Sequence, residues 1–283
     1  MSVRTRVGII GGAGQLGSAI ARAVLSAGAV TPENLWISSR SGGAGALSDW
    51  PGLTVTTDNR HLAENCGTVI LSVPPASAGQ LGIAGGDRLV ISVMAGVTLA
   101  RLQQITGSDR VVRAMSSPAA ALGMAYSPFI ATPAVSAADR QTVRAILSAC
   151  GMTDEVQTEG HIDHFTALTG PVPGFVALFA DCMIRHAEEQ GIAPALADRA
   201  IRQLFRASAT VLGQDGATPA EQVQAMVDYA GTTAAGIAAM REAGLGRAIS
   251  AGLAAAAERA MRIAVDQTPG DAGNLRRGRD SAE

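Results

Sequence analysis

The feature that most constrains the fold is a run of glycines directly after a short apolar segment. Val7–Ile10 reads VGII, and Gly12, Gly14 and Gly17 follow it at spacings of two and three residues. Glycines at this spacing between an apolar strand and a helix are typical of a turn that binds the diphosphate of a dinucleotide. An ordinary tight connection has the same composition, so the rest of the chain must decide between the two interpretations.

Each glycine has a separate role if the turn binds a dinucleotide. Gly12 makes the tight turn, Gly14 lets a diphosphate approach the backbone, and Gly17 lets the following helix pack on the strand. The sequence predicts that helix over Ser18–Ala27. Its N-terminus offers free N–H groups and the positive end of the helix dipole, which favour an anion.

The chain up to about Thr158 alternates short β-branched runs with helical segments. Continuous apolar runs are expected for strands that helices bury on both faces, so the pattern predicts an α/β fold with a parallel, doubly wound, Rossmann-type sheet. The candidate strands are Val7–Ile10, Leu35–Ser38, Thr54–Thr56, Thr68–Val73, Leu89–Ser92, Arg110–Arg113 and Ser127–Ala131.

The character of the sequence changes after about His161, where β-branched runs give way to helical periodicity. We therefore predict a Rossmann domain over residues 1–158, an all-α domain over residues 159–267 and a disordered tail over residues 268–283. One long Ala-rich helix is predicted over Ala248–Val265. Helices so rich in small residues provide little core of their own, which indicates burial against a partner subunit.

Charge and cysteine content exclude several classes of protein. The 22 basic and 24 acidic residues nearly balance, so neither a nucleic acid nor a membrane surface is expected as a partner. The three cysteines are far apart and form no CxxC pair, which predicts neither a metal site nor a disulfide framework. Without a signal peptide or a long apolar segment, the expectation is a soluble cytoplasmic protein.

The end of the second predicted strand bears on which dinucleotide is bound. NAD sites usually place an Asp or Glu there, but this chain has Ser38, Ser39 and Arg40. Hydroxyl groups and a guanidinium suit the 2′-phosphate of NADP(H), because arginine can donate two hydrogen bonds to it. The alternative is an exposed loop arginine with no ligand.

Other reactive residue types have simpler interpretations. Cys66 and Cys150 are expected to pack in helices, and His161 and His164 to form a surface pair. The Gly-Thr-Thr run at residues 231–233 predicts a helix N-terminus capped by a threonine. The functional alternative for that run is an anion or reaction pocket lined by hydroxyl and N–H groups.

Several segments together resemble the pyrroline-5-carboxylate reductase family, over about residues 6–267. The resemblance is carried, in the family's order, by GAGQLGSAI, WISSR, TTDNR, VILSVPP, VISVMAGVTLARL, VVRAM, DHFTALTG and AGTTAAGI. Members of that family reduce a cyclic imine acid to proline with NAD(P)H. The resemblance implies an NADPH-dependent reductase, with NADH as a possible substitute, that forms a homodimer or a larger homo-oligomer.

The resemblance also implies roles for individual residues. The dinucleotide would contact residues of five segments, namely Gly12, Gly14, Gln15, Leu16 and Gly17; Ser38, Ser39 and Arg40; Asn59; Ser72, Val73 and Pro74; and Ala95. The substrate would lie near Met115, Asp228, Gly231, Thr232 and Thr233. Backbone N–H groups and hydroxyls of the Gly-Thr-Thr run would hold its carboxylate, and Thr233 would donate the proton.

The chain departs from the family pattern at the same run. The family's Ser-Pro-Gly-Gly-Thr-Thr is here Asp228-Tyr229-Ala230-Gly231-Thr232-Thr233, and its Met-Pro-Asn is here Met115-Ser116-Ser117. An ionised Asp228 about 4 Å from a substrate carboxylate would repel it by about 1 kcal/mol in water and by more at a lower dielectric constant. Either Asp228 points away or caps a helix and the substrate is the usual one, or the chain reduces a neutral or cationic cyclic imine, with Tyr229 as a proton donor.

Two further functions remain open at the level of sequence. A hydroxy-acid dehydrogenase of the same build would need a lysine or histidine at the start of the helical domain, where this chain has His164 and no lysine. A regulator that binds NADP(H) without chemistry would keep the glycine turn and lose the catalytic groups.

Overall fold

The computed structural model describes residue 3 and residues 5–170, 174–214 and 216–265. The predicted tail at residues 268–283 lies outside the described residues. The described chain divides into two units, one formed by the residues up to Gly170 with those from Ala255 onward, and the other by Pro171–Ala254.

The first unit is built on a sheet of seven strands in the order β3-β2-β1-β4-β5-β6-β8, with two further short strands, β7 and β9, that pair with each other. The strands are β1 Val7–Ile10, β2 Leu35–Ser38, β3 Thr54–Thr56, β4 Thr68–Leu71, β5 Leu89–Ser92, β6 Val111–Ala114, β7 Ala125–Tyr126, β8 Phe129–Ala131 and β9 Gly151–Met152. The first six strands of the large sheet are parallel, as predicted.

Five helices belong to the described part of the first unit up to Gly170. They are α1 Gln15–Ser26, α2 Asn59–Asn65, α3 Leu99–Thr106, α4 Ala137–Ala149 and α5 Glu159–Leu168. Ile9 belongs to a buried cluster with α1 and α4, and Ile10 to a separate cluster with α2 and α3. Successive residues of β1 are therefore buried on opposite faces, which explains its continuous apolar run.

The sequence prediction was wrong at the last strand of the sheet. A single strand was expected over Ser127–Ala131, in a parallel sheet. The structure starts β8 at Phe129, and β8 pairs antiparallel with β6. Ser127 and Pro128 lie between β7 and β8, and proline has no N–H group to donate to a strand ladder. Two neighbouring strands can be parallel only if a crossover connection, usually an α-helix, returns the chain to the same end of the sheet. The connection from β6 to β8, which the structure describes in full, contains no such α-helix, so β8 runs antiparallel to β6.

Other element boundaries differ by a few residues. The strand expected to extend to Val73 ends at Leu71, and the strand expected over Arg110–Arg113 spans Val111–Ala114. The helix expected over Ser18–Ala27 begins earlier, at Gln15. Gln15, Leu16 and Gly17 therefore form the first turn of α1, next to the glycine run.

The second unit is entirely helical in its described residues. Its helices are α6 Gly174–Glu189, α7 Pro194–Leu212, α8 Pro219–Asp228, α9 Thr232–Glu242 and the first part of α10, Leu245–Val265. The long helix predicted over Ala248–Val265 is confirmed and begins three residues earlier.

The helices of the second unit do not share a core of their own. Ala197 is the only fully buried residue among the residues that the structure describes between 174 and 254. Large apolar side chains are exposed instead, among them Leu178 at 60%, Leu212 at 54% and Ile249 at 54%. Apolar surfaces of this extent are typical of interaction sites.

Two of the three cysteines are buried, and their thiols are unreactive. Cys66 and Cys150 are buried, as predicted, and each directly follows a helix, α2 and α4 respectively, rather than lying inside it. Burial raises the pKa of each thiol to about 12, so both remain protonated at neutral pH.

Candidate functional site

The glycine turn after β1 fits a dinucleotide diphosphate. Gly11 carries the left-handed conformation, with φ of +82°, whereas the sequence assigned the tight turn to Gly12. Gly12 packs against β2 instead, because a Cβ there would lie 2.6 Å from Ile37 Cβ. A side chain at Gly17 would lie 2.3 Å from the carbonyl oxygen of Gly11, so α1 can approach β1 closely only with glycine at this position.

The start of α1 is open to an anion. Gly14 is the exposed N-cap residue of α1 and makes no side-chain cap. The first N–H groups of a helix have no partner within that helix. The first turn of α1, all of which the structure describes, carries no acidic residue that would repel a phosphate. The residues of the turn therefore fit a dinucleotide diphosphate, which is the group that the glycine spacing predicted.

The carboxyl ends of β2 and β4 lie beside this turn. Parallel strands have their carboxyl ends at one edge of the sheet, and the strand order reverses between β1 and β4. A Cβ at Gly11 would meet the Ser72 carbonyl oxygen at 2.3 Å and Val73 Cγ1 at 3.0 Å. The structure thus brings Ser72 and Val73 against the glycine turn, at the position where doubly wound sheets bind their ligands.

Ser38 and Asn59, which are 21 residues apart in sequence, meet at the end of β2. Ser38 Oγ donates a 2.6 Å hydrogen bond to Asn59 Oδ1, and Asn59 Nδ2 donates a 3.1 Å bond to the Leu81 carbonyl oxygen. Ser39 Oγ donates to the carbonyl oxygen of Gly43, and Arg40 is exposed. The hydroxyl, amide and guanidinium groups that the sequence assigned to the adenosine end are therefore adjacent in the chain or in contact.

Pro74 and Ala95 follow β4 and β5 at the same sheet edge, and Met115 follows β6. Met115 N–H donates to the Pro128 carbonyl oxygen at 3.0 Å. Its Cε lies 2.7 Å from the point that a Cβ at Gly170 would occupy, so the Met115 side chain packs against the end of α5.

The Gly-Thr-Thr run forms the start of α9 in the second unit. Gly231 is the N-cap, and Thr232 and Thr233 are the first two residues of the helix. The predicted threonine cap is wrong, because the cap position falls on Gly231 and no side chain makes a capping hydrogen bond. Both threonine side chains are exposed in the chain, next to the N–H groups of the first turn.

Asp228 and Tyr229 precede this helix start. Asp228 is the last residue of α8, and its Oδ1 accepts a 2.8 Å bond from Gln224 Nε2 one turn earlier, so it caps no helix N-terminus. The Tyr229 side chain is 83% exposed, and its ring lies 3.3 Å from the point that a Cβ at Gly231 would occupy. Tyr229 therefore borders the start of α9, while the Asp228 carboxylate is engaged on α8.

The described residues contain an exposed histidine pair, but no cluster of metal ligands and no membrane-spanning helix. His161 and His164 are both exposed on α5, as predicted. Within the described ranges there is no group of three His, Cys, Asp or Glu side chains that could hold a metal ion. No helix among the described residues is both long enough and apolar enough to cross a membrane.

A charged cluster in the first unit was not predicted from the sequence. Arg113 lies in β6, where its side chain is 1% exposed and pairs with Glu159 and Asp163 of α5. The signal was available, since an arginine interrupts an otherwise apolar strand, VVRA. A buried arginine needs carboxylate partners, and α5 supplies two of them one turn apart.

The chain is similar to known proteins along nearly its whole length. Residues 159–263 match the family model for pyrroline-5-carboxylate reductase dimerisation, and residues 6–96 match the model for NADP oxidoreductase, coenzyme F420-dependent. A pyrroline-5-carboxylate reductase of Methanosarcina acetivorans is 30% identical over 267 residues, which cover 91% of this chain and 97% of that protein. The chain belongs to the pyrroline-5-carboxylate reductase family.

Solved structures show the same fold. A Plasmodium falciparum pyrroline carboxylate reductase with NADP bound has a TM-score of 0.80 and 23% identity, and the match covers 93% of this chain and 100% of that one. A reductive aminase of Aspergillus terreus in complex with NADPH and ethyl-5-oxohexanoate is less similar, with a TM-score of 0.55 and 19% identity over 92% of this chain and 94% of that one.

Proposed function

We propose that this protein reduces 1-pyrroline-5-carboxylate to proline with NADPH. The observation that carries the proposal is the match to a reductase of that name over 91% of this chain. The two family models cover the dinucleotide turn and the Gly-Thr-Thr start of α9. The protein is an oxidoreductase that acts on a C=N bond.

The residues at the sheet edge would hold the cofactor in three groups. The diphosphate would bind to the glycine turn and the first turn of α1, which contain Gly12, Gly14, Gln15, Leu16 and Gly17. Ser38, Ser39, Arg40 and Asn59 would bind the adenosine ribose and its 2′-phosphate, and NADH would bind more weakly because it lacks that phosphate. Ser72, Val73, Pro74 and Ala95 would line the nicotinamide side.

The chemistry needs little from the protein beyond orientation and one proton. Bound NADPH supplies a hydride to the carbon of the C=N bond. The start of α9 would hold the substrate carboxylate with N–H groups and the Thr232 hydroxyl, Met115 would contact the ring, and Thr233 would donate the proton to nitrogen. Proximity then provides most of the rate enhancement.

A second candidate function rests on Asp228 and Tyr229. A carboxylate at residue 228 would oppose an anionic substrate at the start of α9 and favour a neutral or cationic cyclic imine. The Tyr229 ring beside Gly231 would then offer a phenol as proton donor. The hydrogen bond from Gln224 to Asp228 favours the first function, because it holds that carboxylate along α8.

The organisation of the protein is part of the proposal. Residues 1–158 would form the dinucleotide domain and residues 159–267 the helical domain for substrate and dimerisation. Exposed apolar helix faces and the match to a dimerisation family indicate a homo-oligomer, which we propose to be a homodimer. We further propose a cytoplasmic location, with neither nucleic acid nor a membrane as a partner.

The test follows NADPH absorbance with purified protein, using pyrroline-5-carboxylate beside neutral and aminated cyclic imines. Fast turnover of the acid supports proline formation, and turnover of the other imines alone would reject it in favour of the second function. Thr233→Val and Tyr229→Phe identify the donor, because the variant that lacks it should lose about 100-fold or more in kcat. Thr233→Ser keeps a hydroxyl and serves as the matched control.

A further inference from the structure

Arg113 is the one fully buried arginine among the residues that the structure describes. It lies in β6 with 1% of its side chain exposed. A charge at such a depth is costly unless it is paired. Placing an arginine here, two residues before Met115, therefore requires fixed carboxylate partners.

Both partners of Arg113 lie on α5, one helical turn apart. Arg113 Nη1 donates to Glu159 Oε1 at 2.9 Å, and Nη2 donates to Asp163 Oδ1. The guanidinium is planar and rigid, so two bonds to one helix restrict how α5 can lie relative to β6. Tyr126 and Phe165 pack their rings 5.4 Å apart and support the same helix further along.

Glu159 connects this pair to a third segment. Its Oε1 also accepts a 2.8 Å hydrogen bond from the Leu99 N–H, at the first residue of α3. The turn before α3 contains Ala95, which we place on the nicotinamide side of the cofactor. One carboxylate oxygen therefore ties α5 to the segment that leaves β5.

The chain just after α5 contacts the residue that follows the end of β6. Met115 packs against Gly170, two residues after the end of α5. Arg113 thus holds the first half of α5, while Met115 contacts the chain just after the other end of that helix. Any tilt of α5 would displace Met115 and the turn at Ala95 together.

We propose that Arg113 is a positioning residue for the reductase reaction. Through Glu159 and Asp163 it fixes, relative to one another, the two segments that carry Ala95 and Met115, and so the cofactor and substrate sides of the site. This inference rests on the proposed function for its kinetic readout. This positioning role differs from a purely structural one. In a purely structural role, loss of the two ion pairs of Arg113 would lower only the amount of folded protein.

The test uses Arg113→Lys and Glu159→Gln in the full-length protein. Lysine keeps the charge but cannot bridge two carboxylates with fork geometry. Glutamine keeps an acceptor for the Leu99 N–H and loses the charge. Glu64→Gln is the matched control, because it breaks the exposed pair with Arg60. We would measure kcat, KM, NADPH binding and the isotope effect with 4-deuterated NADPH, all per folded molecule.

Amide hydrogen exchange of α5 and the start of α3, measured without added ligand, gives a second readout. We expect Arg113→Lys to lower kcat by about tenfold or more, to raise the isotope effect, and to leave NADPH affinity within about threefold of the parent value. Exchange in both segments should become faster, and Glu64→Gln should change none of these quantities.

Parent-like kcat, KM and isotope effect in folded Arg113→Lys would overturn the inference. So would a loss of activity no larger than the loss of folded protein. If the parent protein does not reduce pyrroline-5-carboxylate, the proposed function fails and the exchange data decide alone. Unchanged exchange at the start of α3 would then reject the positioning role. Faster exchange there would support only the link from Arg113 through Glu159 to α3, and the role in the reaction would fail with the proposed function.

Discussion

The 2.6 Å hydrogen bond from Ser38 Oγ to Asn59 Oδ1 joins the end of β2 to the first residue of α2. Asn59 Nδ2 donates in turn to the Leu81 carbonyl oxygen. The orientation of the Asn59 amide is therefore set by the protein on both sides. This fixes the amide beside Ser38, which Ser39 and Arg40 follow in the chain, and we place the adenosine ribose and its phosphate at this end of β2.

Asn59→Asp should discriminate against NADPH. The substitution removes the donor to Leu81 and introduces a carboxylate near the proposed 2′-phosphate, so we expect the KM for NADPH to rise by about tenfold or more and that for NADH to rise less. Steady-state kinetics with both cofactors measure the effect. Asn65→Ala, at the other end of α2, is the control. Equal changes for both cofactors would remove Asn59 from the phosphate site.

Arg40 should carry most of the preference for the phosphorylated cofactor. A hydrogen bond to a charged group contributes about 1.5–3 kcal/mol, so Arg40→Ala should raise the KM for NADPH by about 10- to 100-fold. The KM for NADH should stay within about twofold, since NADH offers no phosphate there. Ratios of kcat/KM for the two cofactors report the result, and an unchanged ratio would mean that Arg40 is only an exposed loop residue.

The parallel sheet could be predicted because its signals are local. Apolar runs marked β1, β2 and β5 at their observed bounds, since strands buried on both faces are continuous in sequence. The half-buried β3, Thr-Val-Thr, was marked by its β-branched residues instead. The direction of β8 could not be predicted, because it depends on which neighbour the strand pairs with rather than on its own residues.

The candidate site was predictable where spacing determines geometry. The glycine turn and the end of β2 fall into this class. The place of Asn59 in the dinucleotide site came from family resemblance alone, and its contact with Ser38 was not predicted. The Arg113 cluster was missed because its partners are 46 and 50 residues away. The positive φ at Gly11 was also missed, since two adjacent glycines do not reveal which of them adopts it.

Gly17→Ala should disrupt the dinucleotide turn. Its Cβ would lie 2.3 Å from the Gly11 carbonyl oxygen, so α1 would have to move away from β1. We expect a loss of about 1–3 kcal/mol in the free energy of unfolding and a large loss of NADPH affinity. Gly160→Ala in α5 meets no atom within 4 Å and should be neutral or stabilising by about 0.5–1 kcal/mol. Denaturation and cofactor titration of both variants provide the comparison.

Asp139 should make stability depend on pH in the acid range. Burial opposes ionisation of its carboxyl group, but hydrogen bonds from Arg110 and Ser136 outweigh this effect and hold its pKa below the ordinary value of 3.8. A pKa lowered in the folded state contributes stability above the unfolded value, and the contribution is lost as the pH falls through the folded value.

Asp139→Asn should therefore be less stable than the parent protein at pH 6, with the difference shrinking below about pH 4. Urea denaturation at a series of pH values, at fixed protein concentration, measures this. Asp198→Asn removes the exposed partner of Arg202 and should cost less than about 1 kcal/mol. A difference for Asp139→Asn that stays constant down to pH 2 would contradict the assignment.

The backbone of Ala230, the residue before Gly231 at the proposed substrate site, is strained. It is the only non-glycine residue with a positive φ, +54°, among the residues that the structure describes. A left-handed conformation costs a residue with a Cβ roughly 1–2 kcal/mol, and glycine avoids this cost but loses more entropy on folding. Ala230→Gly should therefore stabilise the protein by about 0.5–1 kcal/mol.

Thermal denaturation at constant protein concentration tests this expectation, because assembly makes Tm depend on concentration. Ala238→Gly, within α9, is the matched control and should destabilise by about 1 kcal/mol, since a helix interior penalises glycine. The two substitutions remove the same methyl group with opposite expected signs. If both destabilise equally, the left-handed turn before Gly231 is not the conformation that Ala230 adopts in solution.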